Sequence, residues 1–545
     1  MSRDEAPSIA ALFQVVFDPK AGYTTAWKRS VPELDLSGVE YKSLPSGLHG
    51  VPQDLVYFIH DGQHAGISSF AQQEADQAHR NASFCAVGVL VSVSHGRLGK
   101  GWLHAPSLRQ LADGVLKHND IGALERFWEK HRLDDARSRQ PSSRDEIRDS
   151  LVTSLKRKRG LSGVSDGLKL SDSTIATDHP ALYMPGLLDS FGPLLFPLYR
   201  AALLRKRILL IGSPPVQVNC NAVYLLSVIS GIPQPATEAL SPDTDSLLRT
   251  QPLFSVGVAD IASLSSKDDR TGWIATSTDD ILGDKHKLYD LLVELPKPAP
   301  GSKRQWPRLR TADGKIIKAS QRDLRRYRML QAELKRLRLA RNSHADGVES
   351  GGSESDEAPM LGSRHILAES AVSDKLPDGE NEVVEPVSWT AAAYNSFLWW
   401  ASAGSTQGDT DADEEMRFEH ELLGDLPHLQ DVLQDEDHDP APADSEEANQ
   451  LDAEETATML TSYFHRLTEH FITSMASIVN EADDETEEGV EEDEIAITAD
   501  DVRAMGLDVW SENDAEFVRE MLRLWFDREA AVAVEGVRMC GVKVC

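Results

Sequence analysis

Cysteine is nearly absent from the chain. Four occur in 545 residues, Cys85, Cys220, Cys540 and Cys545, and no two stand at a metal-ligand spacing. This excludes a disulfide framework and argues against a structural zinc site, so reduced thiols in the cytoplasm are expected. Long hydrophobic runs are missing too. No stretch approaches the roughly 18 apolar residues that span a bilayer, and any membrane contact is expected to be peripheral. The opening MSRDEAPSIAALF has no basic leader before an apolar core, so no signal peptide is expected. Basic charge is short: 56 Lys and Arg face 88 Asp and Glu, a formal charge of -32. Such a field repels phosphate backbones at long range, and nucleic acid is not expected as a partner.

Catalytic signatures are missing as well. Gly212-Ser213-Pro214-Pro215 follows an apolar run and opens a helical one, as a phosphate loop would. It lacks the Lys-Ser/Thr ending of such a loop and the spaced glycines of a dinucleotide fold, and two prolines remove amides that would cradle phosphate. No H-E-x-x-H occurs. His60-Asp61 beside His64 reads as a polar hairpin turn, because no nucleophile stands at a motif spacing. The acidic runs at 409–415 and 481–494 have neither the periodicity nor the glycine of an EF-hand. The ending Gly541-Val542-Lys543-Val544-Cys545 does not place a cysteine fourth from the end, and reads as a closing strand rather than a lipidation signal. No catalytic residue, metal or cofactor is expected.

What is present is a series of modules. Residues 8–133 pair short apolar runs (Ala11 to Asp18, Gly22 to Ser30, Asp54 to Asp61, Ala65 to Gln72) across turn signals. Phe84 to Val93 is so continuously apolar that it belongs inside a sheet. Helical spacing follows at Leu108, Leu111, Val115 and again at Leu124, Phe127, Trp128. An antiparallel sheet backed by helices is the economical reading. Residues 134–176 read as a linker, whose Lys156-Arg157-Lys158-Arg159 is a solvated charge run or a nuclear localisation signal. From 177 to 296 strands alternate with helices, predicting a partly parallel sheet. There Leu187 to Leu204 reads as one apolar helix, despite Pro193 and Pro197, ending in Arg205-Lys206-Arg207.

Beyond Pro307 charge separates. Residues 302–341 carry fourteen Lys and Arg against three acids, and residues 405–455 nineteen acids against Arg417 alone. A basic helix over 320–341 is expected, within a downstream part at 303–341. It can contact an anionic membrane, pair with the acidic tail, or remain a solvated helix with one packed stripe. Residues 342–385 read as a disordered linker. A tail domain over 386–545 holds a Trp-rich helix at 389–403, an amphipathic helix at 454–479, disordered acidic insertions at 405–453 and 481–494, and a capping signature at Thr498-Ala-Asp-Asp501.

Several segments together resemble a known family. They are Lys42-Ser43-Leu44-Pro45-Ser46-Gly47-Leu48-His49, DLVYFIH, Arg80-Asn81-Ala82, Gly96-Arg97-Leu98-Gly99, Phe191-Gly192-Pro193-Leu194, ALLRKRILLIG and Gly272-Trp273-Ile274-Ala275-Thr276-Ser277-Thr278-Asp279-Asp280-Ile281. In this order they resemble the LCHN-like branch of the DENN superfamily, and the tail is similar to its fungal members. The resemblance implies an α/β fold: a longin-like antiparallel sheet with helices, a DENN α/β lobe, then helical C-terminal segments with disordered acidic linkers. It also implies guanine-nucleotide exchange on a Rab-type GTPase in membrane traffic, by a cytoplasmic protein peripheral on vesicle or organelle membranes. The GTPase would sit in the cleft between the lobes, near Phe191, Gly192, Arg205 and Lys206; the competing reading is that Phe191 is core and the two cations cap a helix. Arg80 resembles an arginine that some DENN relatives use to stimulate GTP hydrolysis, a candidate arginine finger. A non-catalytic scaffold recruiting a GTPase or vesicle component is the third reading. The opposed charge blocks raise the expectation of an intramolecular contact between helix 320–341 and the acidic tail, with autoinhibition as its consequence.

Overall fold

The computed structural model describes residues 6–18, 20, 22–45, 51–74, 82–133, 176–265, 271–297, 305–346, 380–386, 407–424, 446–487 and 494–532, with strand residues 538–539 and 542–543. Arg80, the linker 134–175 with its basic run, the Trp-rich segment 389–403, Cys540 and Cys545 lie outside these residues.

The N-terminal lobe builds five antiparallel strands: β1 (Ala11–Asp18), β2 (Gly22–Ser30), β3 (Gln53–His60), β4 (His64–Glu74) and β5 (Ala82–Ser92). A short helix α1 (Val39–Lys42) covers one face, while α2 (Ala105–His118) and α3 (Ile121–His131) serve the other. The apolar run of β5 is buried between β4 and β1, where a strand covered on both faces needs no polar alternation.

The second lobe opens with two helices where the sequence reads as one. α4 (Met184–Phe191) stops at Gly192, whose φ of 54 leaves helical space, and α5 (Leu195–Leu203) resumes after a 3-10 turn at Gly192–Leu194. A side chain at Gly192 would fall inside the ring of Trp306, so the break lets another element approach the backbone closely. Then come β6 (Arg207–Ile211), α6 (Val216–Ile229), β7 (Gln251–Ser255), β8 (Trp273–Ser277) and β9 (Leu291–Glu294), followed by β10 (Arg308–Thr311) and β11 (Ile316–Ile317).

The two lobes share one eleven-stranded sheet in the order β11-β10-β9-β6-β8-β7-β3-β4-β5-β1-β2. Strands β9, β6, β8 and β7 are parallel; the N-terminal half is antiparallel throughout. The halves meet at a single register pair, Phe58 with Phe254. Phe254 sits at a bulge with φ of 58, which turns its ring edge-on to Tyr57. On one face of the sheet a single large core joins α2 and α3 to α4, α5, α6 and the C-terminal helices. The other face carries two separate cores, one under α1 around Phe13 and Phe58, one around Trp273 and Leu282.

The basic helix α7 (Gln321–Asp346) runs five residues past its expected end at 341. The expected linker 342–385 is thus ordered at both ends: Glu380–Val383 is a helical turn, and Val384 bridges Ala319. The acidic insertions are likewise helical in large part. α8 (Gln407–Leu423) lies within 405–453, and α9 (Glu446–Glu487) extends the amphipathic helix in both directions. α10 (Ala499–Ala504) starts at the expected capping box, Thr498 with Asp501, and α11 (Glu512–Phe526) is capped by Ser511. β12 (Ile495–Ile497) pairs with β13 (Ala530–Val532), and Arg538–Met539 with Val542–Lys543.

The tail packs into the large core rather than standing apart. Phe464 of α9 packs its ring at a tilt against Tyr199 of α5 with centroids 4.9 Å apart, and the Tyr199 hydroxyl lies 2.5 Å from Thr468 Oγ1. Apolar burial of this kind contributes roughly 1.5–3 kcal/mol per large side chain.

Candidate functional site

The loop after β6 is already filled by protein. Asp54, at the start of β3, aims its carboxylate at the N-terminus of α6. It accepts hydrogen bonds from Val216 N at 2.7 Å and Gln217 N at 3.1 Å. The helix dipole and its orphan amides thus meet a fixed anion from the other lobe, which leaves no phosphate cradle. Burial raises the Asp54 pKa despite these amides. The His60–His64 turn is structural: Asp61 Oδ1 accepts from Gln63 N and His64 N, and His60 Nε2 bonds Asp35 O. No cluster of three or more His, Cys, Asp or Glu side chains is gathered for a metal ion among the described residues.

The residues expected at the lobe cleft lie elsewhere. Phe191 is 2% exposed in the core, and Gly192 backs onto Trp306. Arg205 is 2% exposed, its guanidinium donating to the carbonyls of Leu247, Ala202 and Ser230 and to Thr250 Oγ1. Trp525 of α11 lies 5.1 Å from it. Burial pushes the Arg205 pKa down to about 9, which leaves it charged at neutral pH. Lys206 pairs with Glu520 of α11 at 2.6 Å. In this structure Phe191, Gly192 and Arg205 are interior, and Arg205 and Lys206 anchor the tail.

The expected pairing of the basic helix with the tail is present. Arg326 Nε donates to Glu419 Oε1 at 2.7 Å and the Tyr463 hydroxyl to Glu419 Oε2 at 2.7 Å; all three are buried. Arg325 pairs with Glu415 at 2.9 Å at the surface. Such buried charge is tolerated because each oxygen of Glu419 has a donor.

The opposite face of the sheet offers a different surface. Where α1 meets the turn Val258–Asp260, Lys42 donates to Ile59 O at 3.1 Å and pairs with Asp260 at 2.7 Å. Asp260 accepts from Gly257 N, and Asp279, beside the turn Asp280–Gly283, accepts from Val258 N at 3.3 Å. Burial raises the Tyr23 phenol, with the charge of Asp279 adding to it, so the start of β2 borders the same place. Eight large apolar side chains are well exposed among the described residues, and three of them, Tyr41 (59%), Val258 (53%) and Ile281 (53%), lie on these neighbouring elements. An apolar group held by an ion pair across a lobe junction is the kind of surface a protein partner covers. It lies at the carboxyl ends of β7 and β8, where open α/β sheets place their binding sites. Sequence reasoning missed these residues, because nothing in the local pattern marks Tyr41 or Val258 as exposed.

Comparison with known proteins fits this architecture. Residues 12–305 match the family described as DENN domain-containing protein 11. Residues 384–496 and 485–545 match a domain of unknown function, DUF4484. The DENN domain-containing protein 11 of Xenopus laevis is 32% identical over 291 residues, covering 53% of this chain and 60% of that protein. The chain therefore spans about three fifths of that relative's length. Uncharacterized protein ANR2 of Saccharomyces cerevisiae is 23% identical over 98% of this chain and 94% of its own. Uncharacterized protein C119.16c of Schizosaccharomyces pombe is 29% identical over 60% of this chain and 72% of its own. With more than half of its length matched, and a mixed α/β architecture of two lobes on one sheet, the chain belongs to the DENN domain-containing protein 11 family.

Proposed function

We propose that this protein is a guanine-nucleotide exchange factor for a Rab-type GTPase in membrane traffic, of the LCHN-like branch with a fungal-type tail. DENN-domain proteins are in general exchange-type regulators of Rab GTPases, and membership of the family supports the reading. The match to a yeast relative along nearly the whole chain supports the fungal assignment. The observation that carries the proposal is the exposure of Tyr41, Val258 and Ile281 on neighbouring elements at the lobe junction, on the face opposite the core that the described tail residues join. An exchange factor needs no nucleophile or metal of its own. It binds the nucleotide-free GTPase more tightly than the loaded one, and linkage makes that preference weaken nucleotide binding. Its working part is a surface that holds the switch segments away from magnesium and phosphate.

The test is release of a fluorescent guanine nucleotide from a panel of Rab GTPases with catalytic amounts of the full chain. Accelerated release from one or a few members is the expected result. Binding without acceleration across the panel would make the protein a scaffold instead. GTP hydrolysis that rises with the chain and falls with Arg80→Ala would make it an activating protein.

A further inference from the structure

Between α5, α7 and α11 two carboxylates share one guanidinium. Arg200, 4% exposed, donates through Nη1 and Nη2 to Asp323 at 2.8 and 2.6 Å. Asp514 of α11, 1% exposed, brings Oδ1 within 3.0 Å of the same Nη2, yet that oxygen accepts no hydrogen bond from any described residue. The shares are unequal. Asp323 takes the bidentate pair and also accepts from Ser320 N at 3.1 Å. Asp514 keeps only the amide of Asp508 on Oδ2, at 2.9 Å.

More negative charge surrounds the pair. Glu385 takes the amide of Asn513 at 2.7 Å, and its own pKa is raised by burial and by the charges of Asp508 and Asp323. Asp508 faces Asp514 from the loop before α11. The nearby cation on α7 is Arg326, which is committed to Glu419. The ring of Phe517, 5.9 Å from Arg200, supplies no charge. One guanidinium thus balances one of two occluded carboxylates, and two like charges in such a site do not both ionise freely.

We propose that docking of the tail helix α11 on the core is proton-linked through Asp514 and weakens as pH rises. The sign follows from the position of the proton. Burial, reinforced by the charge of Asp323, lifts the Asp514 pKa well above the carboxylate range, although Arg200 opposes it. The docked state therefore binds a proton that the released state gives up. Its contribution is complete below the ordinary carboxylate pKa and is lost as pH rises through the raised value. Asp323 acts only at the acid end, because its pKa is lowered. Within the window each pH unit changes the docking equilibrium by up to about tenfold.

The experiment is hydrogen exchange of residues 512–526 in the full chain between about pH 5.5 and about pH 8, corrected for intrinsic rates, for wild type and Asp514→Asn. Protection in the wild type is expected to fall as pH rises, with a distinctly shallower slope in the variant. Asparagine keeps an acceptor for Asp508 N but holds no charge. Equal slopes in the two proteins would overturn the proposal. Should the variant fail to fold, protection in the wild type that does not change with pH would overturn it equally.

Discussion

The carboxylate of Asp54 caps the helix that begins at Val216, accepting its amide at 2.7 Å across the junction of two lobes. The link joins the start of β3 to the loop after β6 and is buried on both sides. Its removal leaves two helix amides and no anion at the dipole. Asp54→Ala is expected to cost about 1–3 kcal/mol and to loosen the first turn of α6 before the sheet. Denaturant unfolding with hydrogen exchange over 216–220 checks this. An unchanged midpoint would mean that solvent replaces the cap at no cost.

The surface at the lobe junction gives the sharpest test of function. Tyr41→Ala with Val258→Asp is expected to slow catalysed nucleotide release by tenfold or more, about 1.4 kcal/mol or above. Both side chains are more than half exposed, so the melting temperature should stay put. Unchanged release with unchanged stability would move the GTPase to another face.

Two acids on α8 pair with α7 in different surroundings. Glu419 is 6% exposed between Arg326 and Tyr463, whereas the partner of Glu415, Arg325, is half exposed. Glu419→Gln should destabilise by about 3–5 kcal/mol, since it strands a buried guanidinium. Glu415→Gln should cost less, because its close pair with Arg325 is screened by water and salt and the buried Arg322, 3.7 Å away, keeps Glu419. Thermal melts at low and high salt would separate them, with only the second variant narrowing its gap as salt rises.

Tail removal distinguishes an autoinhibitory flap from a structural member. Tyr199, Arg200 and Arg205 meet α9 and α11 through a hydrogen bond, a buried ion pair and a cation–π contact, which salt screens little because they are occluded. A chain ending before residue 405 is expected to bind hydrophobic dye and aggregate rather than gain activity. A soluble, monomeric fragment with faster exchange would restore the autoinhibition expected from the charge blocks.

Much of the N-terminal sheet is legible in the sequence, because short apolar runs and turn residues such as Asp61-Gly62 are local signals. β1 and β2 begin and end where the apolar runs do. The break at Gly192 was hidden, since its cause is the ring of Trp306, over a hundred residues later. The acidic segment 407–423 reads as solvated chain until the arginines of α7 meet Glu415 and Glu419. The same long-range cause hid the surroundings of the two cations. Arg205 and Lys206 look like ordinary cations at a helix end, and only the arrival of Trp525 and Glu520 shows that they face the tail.

That the tail completes the core has a consequence for synthesis. The pocket around Tyr199 and Arg205 leaves the ribosome some 300 residues before Trp525 can close it. At ordinary translation rates this gap lasts roughly a quarter of a minute to a minute. During that time an apolar face is bare on a nascent chain, and its protection falls to chaperones rather than to its own sequence. Premature termination anywhere in the tail should therefore be felt as loss of the whole protein, not of one module.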